Sequence, residues 1–371
     1  MSASGARVAI AAGGTAGHVV PALAVADALR ASGADVEFVG GERAEAELVP
    51  AAGYPFHRLA VAGLDRRNPL RAARAAGLAA AAVVRARRLL RRIGADAVIG
   101  GGGYVAGPVG LAAVTLRIPL VLTEADSHLG IANRLLARFA RRVFLAFPLE
   151  GRDGARYEVV GRPVPPGTGS ADRGSARRRF GLREGVPCLL VFGGSIGALS
   201  LNEAALEAFA PGAPCDVLHA SGRRDHPMLR ERLDALGAPP HYHLFDYVSP
   251  FADALAVADL AVARSGGSVF ELAAAGVPSI LVPYPHASAD HQAGNARFMQ
   301  SAGAAVVVPD GEVDPERLRA EVSALLADAG RLRAMSEAAR AVARPGAAER
   351  IASTTLEFAA SQRVFGTDAR E

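Results

Sequence analysis

Arg7-Val8-Ala9-Ile10-Ala11-Ala12-Gly13-Gly14-Thr15-Ala16-Gly17-His18 is the stretch on which the fold turns. Val8 to Ala12 is apolar without polar alternation, the pattern of a strand buried on both faces. The glycines that follow permit positive φ and let backbone N–H groups come close to an anion. His18 to Ala31 then reads as a helix, with Pro21 in its first turn, where a missing N–H costs nothing. The same order recurs where Pro187-Cys188-Leu189-Leu190-Val191-Phe192 runs into Gly193-Gly194-Ser195-Ile196-Gly197-Ala198. A strand, a glycine loop and a helix, met twice, predict two Rossmann-like units.

Working outward, Val36–Gly40, Ala97–Gly100, Pro119–Thr123 and Arg142–Ala146 are further strand candidates of the first unit. Asp216–His219, Tyr242–Phe245, Leu260–Ala263, Ser279–Val282 and Ala304–Val308 are those of the second. Helix-length segments separate them, which predicts an α/β fold of doubly wound parallel sheets. The 371 residues suit two domains on a prior of roughly 150 each. Arg162-Pro163-Val164-Pro165-Pro166-Gly167-Thr168-Gly169-Ser170 has linker composition. The expected division is an N-terminal domain over 1–162, a C-terminal domain over 163–345, and a final helix over 346–371 that packs back on the N-terminal domain.

Composition removes several chemistries. All 41 basic residues are arginine, so neither a Schiff-base lysine nor a P-loop lysine is available. Contacts to phosphate must come from arginine, histidine or backbone N–H groups. Cys188 and Cys215 have no metal-ligand spacing, and the first residues lack a basic segment followed by an apolar core. No apolar run approaches the roughly 18–20 residues of a spanning helix. A cytoplasmic protein without disulfides is expected. Between Leu64 and Ala95 lie Arg66, Arg67, Arg71, Arg74, Arg85, Arg87, Arg88, Arg91 and Arg92, against the single acid Asp65. This is either a solvated helix face or a surface that meets anionic lipid head groups. No aromatic residues interleave to stack bases, so nucleic acid is not an expected partner.

Each glycine loop stands between a strand and a helix, the usual ligand crevice of an open α/β sheet. Around Gly14 and Gly17 the spacing approximates a dinucleotide fingerprint, which keeps a nicotinamide-dependent oxidoreductase as an alternative. Against that reading, Val39-Gly40-Gly41 supplies no ribose-binding acid at the end of the second strand, and Glu37 lies inside it. A third cluster, Gly100-Gly101-Gly102-Gly103-Tyr104-Val105-Ala106-Gly107-Pro108, also follows a strand. Four successive glycines forgo packing and are expected where backbone passes very close to something else.

The most specific segment is Arg264-Ser265-Gly266-Gly267-Ser268-Val269-Phe270-Glu271, continuing to Gly276-Val277-Pro278 and followed by Asp290-His291-Gln292 and Asn295. Ser-Gly-Gly-Ser opens a helix with N–H donors for a diphosphate, and Glu271 one turn on can accept bonds from a ribose diol. His291 and Gln292 suit sugar hydroxyls. With these residues the chain resembles the MurG family of bacterial cell-wall glycosyltransferases over nearly its whole length and in order. Gly13-Gly14-Thr15-Ala16-Gly17-His18 with Pro21, Leu48-Val49-Pro50 with Gly53, and Gly102-Gly103-Tyr104-Val105 with Gly107-Pro108 all match. So do Gly193-Gly194-Ser195 with Gly197-Ala198 and the 264–278 segment.

The resemblance implies a GT-B fold, two Rossmann-like domains facing across a cleft. It implies inverting transfer of N-acetylglucosamine from UDP-N-acetylglucosamine to the lipid-linked acceptor undecaprenyl-diphospho-muramoyl-pentapeptide (lipid I), without a cofactor or a bound catalytic metal. It places the enzyme peripherally on the cytoplasmic face of an anionic membrane. The donor would be bordered by Thr15, Ala16, Gly17, Asp126, Arg162, Gly194, Ser195, Val248, Arg264, Ser265, Gly266, Gly267, Ser268, Val269, Phe270, Glu271, His291 and Gln292. Val248 would meet the uracil through its backbone. Gly103, Tyr104 and Asn133 would lie on the acceptor side, and His18 is the candidate general base.

Two departures stand out. Thr123-Glu124-Ala125-Asp126 replaces the usual His-Glu-Gln-Asn, and Arg162-Pro163-Val164-Pro165 replaces Asn-Pro-Val-Arg. Asp126 carries a charge where the family has an amide donor. A transferase with another acceptor, or a silent sugar-nucleotide-binding homologue, therefore remain alternatives.

Overall fold

The computed structural model describes residues 5–61, 69–194, 198–287 and 290–367, with the side chains of 69–77, 79 and 364–367 outside that description. The chain divides into two compact units, Met1–Pro165 with Arg344–Glu371, and Pro166–Ala343.

The first unit runs β1 (Arg7–Ala11), α1 (Ala16–Ala31), β2 (Asp35–Gly40), α2 (Ala44–Ala51), β3 (Phe56–Arg58) and α3 (Pro69–Ile93). It continues with β4 (Ala97–Gly100), α4 (Gly103–Thr115), β5 (Leu120–Glu124), α5 (Ile131–Leu136), β6 (Arg142–Leu145) and β7 (Tyr157–Val159). The strands form one parallel sheet in the order β3-β2-β1-β4-β5-β6-β7. Side-chain alternation along a strand sends Val8 and Ile10 to one face and Ala9 and Ala11 to the other. Both faces are buried from Val8 to Ala11, so β1 is apolar beyond its exposed first residue, Arg7. Val19, Val25 and Leu29 of α1 cover the first face together with Ile351 and Leu356, which the final helix brings back to this unit. Ala82, Ala86 and Leu90 of α3, Val109 and Ala112 of α4, and Leu136 of α5 cover the second.

The second unit runs α6 (Arg173–Phe180), β8 (Cys188–Phe192), α7 (Leu199–Phe209), β9 (Asp216–Ala220), α8 (His226–Ala235), β10 (Tyr242–Phe245) and α9 (Phe251–Val257). Then come β11 (Leu260–Ala263), α10 (Val269–Ala275), β12 (Ser279–Leu281), α11 (His291–Ser301), β13 (Ala305–Val307), α12 (Pro315–Ala327) and α13 (Ala329–Val342). Its parallel sheet is ordered β10-β9-β8-β11-β12-β13. The final helix, α14 (Ala347–Thr367), belongs to the first unit.

The sequence pattern places most strands within a residue of where they lie, and Ala97–Gly100, Tyr242–Phe245 and Leu260–Ala263 coincide with β4, β10 and β11. It misses β3 and β7. Each has three residues at a sheet edge with none fully buried, so neither carries an apolar run to read.

The four successive glycines have a steric reason. Gly102 and Gly103 adopt positive φ, and a Cβ on Gly103 would lie 1.8 Å from the carbonyl oxygen of Gly13. The first and third glycine clusters touch backbone to backbone. Gly103→Ala should therefore cost at least about 2 kcal/mol, from left-handed backbone strain plus displacement of the Gly13 loop. The expected fall in Tm is about 4 °C or more, and a melting curve by circular dichroism identical to wild type would contradict this packing.

Candidate functional site

In an open parallel sheet a crevice forms at the carboxyl ends of neighbouring strands whose connections lead to opposite sides. The first sheet reverses order between β1 and β4, and the second between β8 and β11. The loops leaving those four strands are the first and third glycine clusters in unit 1, and Gly193-Gly194 and Ser265-Gly266-Gly267 in unit 2. Topology alone thus brings the glycine loops and the 265–267 turn into two groups, one in each unit.

In unit 1, Thr15 is the N-cap of α1, and Ala16, Gly17 and His18 form its first turn. The His18 imidazole rests against Gly102, where a Cβ would meet its Cδ2 at 2.7 Å. Gly103 and Tyr104 open α4. The Tyr104 hydroxyl donates to Glu45 Oε1 at 3.0 Å, and the amides of Gly41 and Gly14 donate to Oε1 and Oε2, each at 2.9 Å. Glu45 is fully buried. Burial pulls its pKa upward, but the bonds from Gly14, its own amide, Tyr104 and Gly41 outweigh that, and the carboxyl is held below its ordinary value. Tyr104 is pushed up, by burial first and then by its bond to Glu45.

Arg162 is buried and donates to the carbonyls of Ala125, at 3.1 Å, and Gly17. It joins the loop after β5 to the first turn of α1. In the former, Glu124 accepts from the Gly130 amide at 2.8 Å, the Asn133 side chain at 3.0 Å and the Asp126 amide at 3.3 Å. Asp126 is tied by its backbone while its side chain is half-buried. Burial raises the Glu124 pKa, the bonds from Gly130, Asn133 and Asp126 pull it down, and the net direction is up.

In unit 2, Gly194 adopts positive φ after β8, and Ser195 lies outside the described residues. Ser265 is buried and donates to the Gln292 carbonyl at 2.7 Å, while Asn295 donates to the Ser265 carbonyl at 3.0 Å. These bonds staple the start of α11, with His291 and Gln292, against the 265–268 turn. Gln292 Oε1 accepts from the Tyr284 amide at 2.9 Å. Ser268 is the N-cap of α10, and Glu271 is half-buried in its first turn. Val269 and Phe270 are buried, Phe270 stacking on Phe298, so their side chains belong to the core of unit 2. Arg264 pairs with Asp310 at 2.6 Å, donates to the Ser200 hydroxyl at 2.9 Å and lies over the Tyr284 ring. It braces the loops around the 265–268 turn. Val248 is buried just beyond β10.

Glu45 and Glu124 escape sequence reasoning. An acid in a first helical turn reads as a solvated helix terminus, and the hint for Glu45 is its place just after Gly40-Gly41 at a strand end. His219 shows the opposite case. Fully buried between Tyr242 Oη at 2.7 Å and Asn202 Oδ1 at 3.0 Å, it is pushed down to about 3 by desolvation and is a neutral core residue. Among the described residues, no group of three or more His, Cys, Asp or Glu could hold a metal ion.

Comparison with known proteins adds independent findings. Residues 8–145 match the glycosyltransferase family 28 N-terminal domain, and residues 188–351 match the family 28 C-terminal domain. A UDP-N-acetylglucosamine--N-acetylmuramyl-(pentapeptide) pyrophosphoryl-undecaprenol N-acetylglucosamine transferase of Acidithiobacillus ferrooxidans is 44% identical over 363 residues, covering 95% of this chain and 98% of its own. A protein of the same name from Methylococcus capsulatus is 43% identical, covering 95% and 99%. The crystal structure of MurG from Acinetobacter baumannii superimposes with a TM-score of 0.75 at 30% identity, covering 95% of this chain and 99% of that one.

Glu124 carries a pH signature. A carboxyl whose folded pKa is raised contributes stability that is full below its ordinary value of 4.5 and is lost as pH rises through the folded value. The stability advantage of wild type over Glu124→Gln should therefore shrink between pH 4.5 and pH 7.5, as measured by urea unfolding. An advantage independent of pH would contradict the burial of an ionisable Glu124.

Proposed function

This chain belongs to the MurG-type N-acetylglucosamine transferases of glycosyltransferase family 28, and from that premise we propose that it transfers N-acetylglucosamine from UDP-N-acetylglucosamine to undecaprenyl-diphospho-N-acetylmuramoyl-pentapeptide. One observation carries this reading: relatives bearing that name align over 95% of the chain at 44% identity. The crevices at β1/β4 and β8/β11 support it.

The donor is held by unit 2. Backbone N–H groups of Gly194 and the 266–268 turn, with Ser195, meet the diphosphate, and the helix N-terminus adds its dipole. Glu271 accepts from the ribose diol, the Val248 backbone reads the uracil, and His291 and Gln292 contact the sugar. In unit 1, Thr15, Ala16, Gly17, Asp126 and Arg162 border the transferred sugar, and Gly103, Tyr104 and Asn133 the acceptor. His18 takes the proton of the acceptor hydroxyl as its oxygen attacks the anomeric carbon from the face opposite UDP. The bond to the diphosphate oxygen breaks, UDP leaves with the electron pair, and the anomeric centre inverts. Fixed N–H donors stabilise the charge that develops on the diphosphate.

UDP release should require both UDP-N-acetylglucosamine and a lipid I analogue. Glu271→Ala should raise the donor KM at least tenfold with less effect on kcat, and His18→Ala should lower kcat by roughly 10² to 10⁴. UDP binding without turnover would indicate a silent homologue, and NAD binding without UDP binding would replace the reading altogether.

The acceptor is lipid-linked, and unit 1 has a surface suited to a membrane. No described helix is long and apolar enough to cross one. Helices α3, α4 and α5 pack side by side over one face of the first sheet. They expose Leu111, Ile131 and Leu135, with Phe139 just beyond α5, and the arginines Arg85, Arg88, Arg91, Arg92, Arg134 and Arg138. The Arg138 guanidinium covers the Phe139 ring at 4.7 Å. The side chains of Arg66, Arg67, Arg71 and Arg74 lie outside the described residues. We assign this surface to the anionic cytoplasmic leaflet. At about 1 kcal/mol per arginine, reversing Arg85, Arg88 and Arg91 to Glu should weaken sedimentation with phosphatidylserine vesicles at least tenfold. Unchanged vesicle binding would remove the assignment.

A further inference from the structure

Glu45 has a place in unit 1 that the reading above does not use. Its carboxylate is fully buried, yet its hydrogen-bond donors come from three separate segments. Gly14 belongs to the loop after β1, Gly41 to the loop after β2, and Tyr104 to the first turn of α4, beyond β4. The Ala44 amide returns a bond to the Gly14 carbonyl at 3.4 Å, so the start of α2 grips the first loop twice.

The glycines around this carboxylate leave room for it. A Cβ on Gly40 would lie 2.7 Å from Glu45 Cγ, and one on Gly13 or Gly41 would lie 3.1 Å from Oε1. On the outer side the Arg43 guanidinium covers the Tyr104 ring at 5.2 Å. Gly102, two residues before Tyr104, is the surface against which the His18 imidazole rests. His18 and its support are therefore carried by two loops whose spacing one carboxylate sets from behind.

We propose that Glu45 is a positioning residue for transfer, holding the first glycine loop and the Gly102–Tyr104 turn in the spacing that seats His18 against the acceptor. The proposal rests on the reading of unit 1 as the acceptor side. Its chemical logic is specific to a carboxylate. Two acceptor oxygens without a proton can satisfy the donors of all three segments at once, whereas a glutamine of the same shape must turn an NH2 group toward at least one of them. A buried donor then loses its partner, and the loops separate to relieve it. Misplacement of reacting groups by up to about an ångström lowers rate on the order of tenfold to a hundredfold.

The test compares wild type with Glu45→Gln as full chains. Calorimetric titration with UDP reports the fraction of competent molecules and the affinity of unit 2. Steady-state transfer at saturating UDP-N-acetylglucosamine, with a lipid I analogue varied, reports the acceptor side. The expected result is UDP stoichiometry and Kd within twofold of wild type, with kcat/KM for the acceptor at least tenfold lower per UDP-competent molecule. A kcat/KM within threefold of wild type would overturn the proposal. So would a loss of UDP affinity that parallels the loss of transfer, since that is what general structural damage produces. If Glu45→Gln does not fold, Glu45→Asp keeps the charge but withdraws it by one methylene, and the same two measurements decide with the same outcomes. A wild-type chain that binds UDP but transfers no sugar would remove the functional reading, and the proposal with it.

Discussion

Gly13 and Gly103 come so close that a methyl group on the second would strike the carbonyl oxygen of the first, and much of unit 1 follows from that contact. Strands β1 and β4 are neighbours in register, Ala11 beside Gly100. Their loops leave side by side and can share the space above the sheet only if both are reduced to backbone. Glycine supplies that at the expense of unfolded-state entropy, and buried apolar strands on both sides of the sheet offset the loss. Beside the contact stands the half-buried His18 imidazole, resting against Gly102. Unit 2 solves the same problem within one loop, where a Cβ on Gly193 would lie 2.3 Å from that of Ala198.

A chain without lysine must handle phosphate differently from a P-loop enzyme. Two of its buried arginines, Arg162 and Arg264, are engaged with carbonyls, Ser200 and Asp310, and hold loops in place. Arginine suits that work because its planar fork reaches two acceptors from one rigid group. In the proposed reading diphosphate binding falls to backbone N–H groups, which carry no net charge and need not be desolvated as ions. The buried carboxylates divide in a related way. Glu45 gathers enough donors to stay ionised despite burial, whereas for Glu124 burial prevails over its three donors. The Asp126 carboxylate, the residue that departs most from the family pattern, stands beside the second of these.

Much of the architecture was legible because buried parallel strands are apolar on both faces and the loops between strand and helix are rich in glycine. Leu260–Ala263 could be read to the residue for that reason. Phe56–Arg58 and Tyr157–Val159 could not, because a three-residue edge strand needs only a backbone partner on one side. Glycine positions, His18 and the 264–271 segment were visible because their chemistry lies in local spacing. Glu45 was not, because its meaning comes from donors far along the chain: Gly14 is 31 residues away and Tyr104 is 59; the donors to Glu124 are local, and what the sequence hides there is its burial. The bracing role of Arg264 was hidden likewise, since Ser200 and Asp310 become its partners only when the sheet is assembled.

In the proposed division of labour unit 2 holds the nucleotide at the β8/β11 crevice and unit 1 does not. A crystal structure of the chain soaked with UDP tests this most directly. The account predicts density for the diphosphate against Gly194 and the 265–268 turn, with the ribose hydroxyls on Glu271. Density for the nucleotide at the Gly13–His18 loop of unit 1, with the β8/β11 crevice empty, would contradict it.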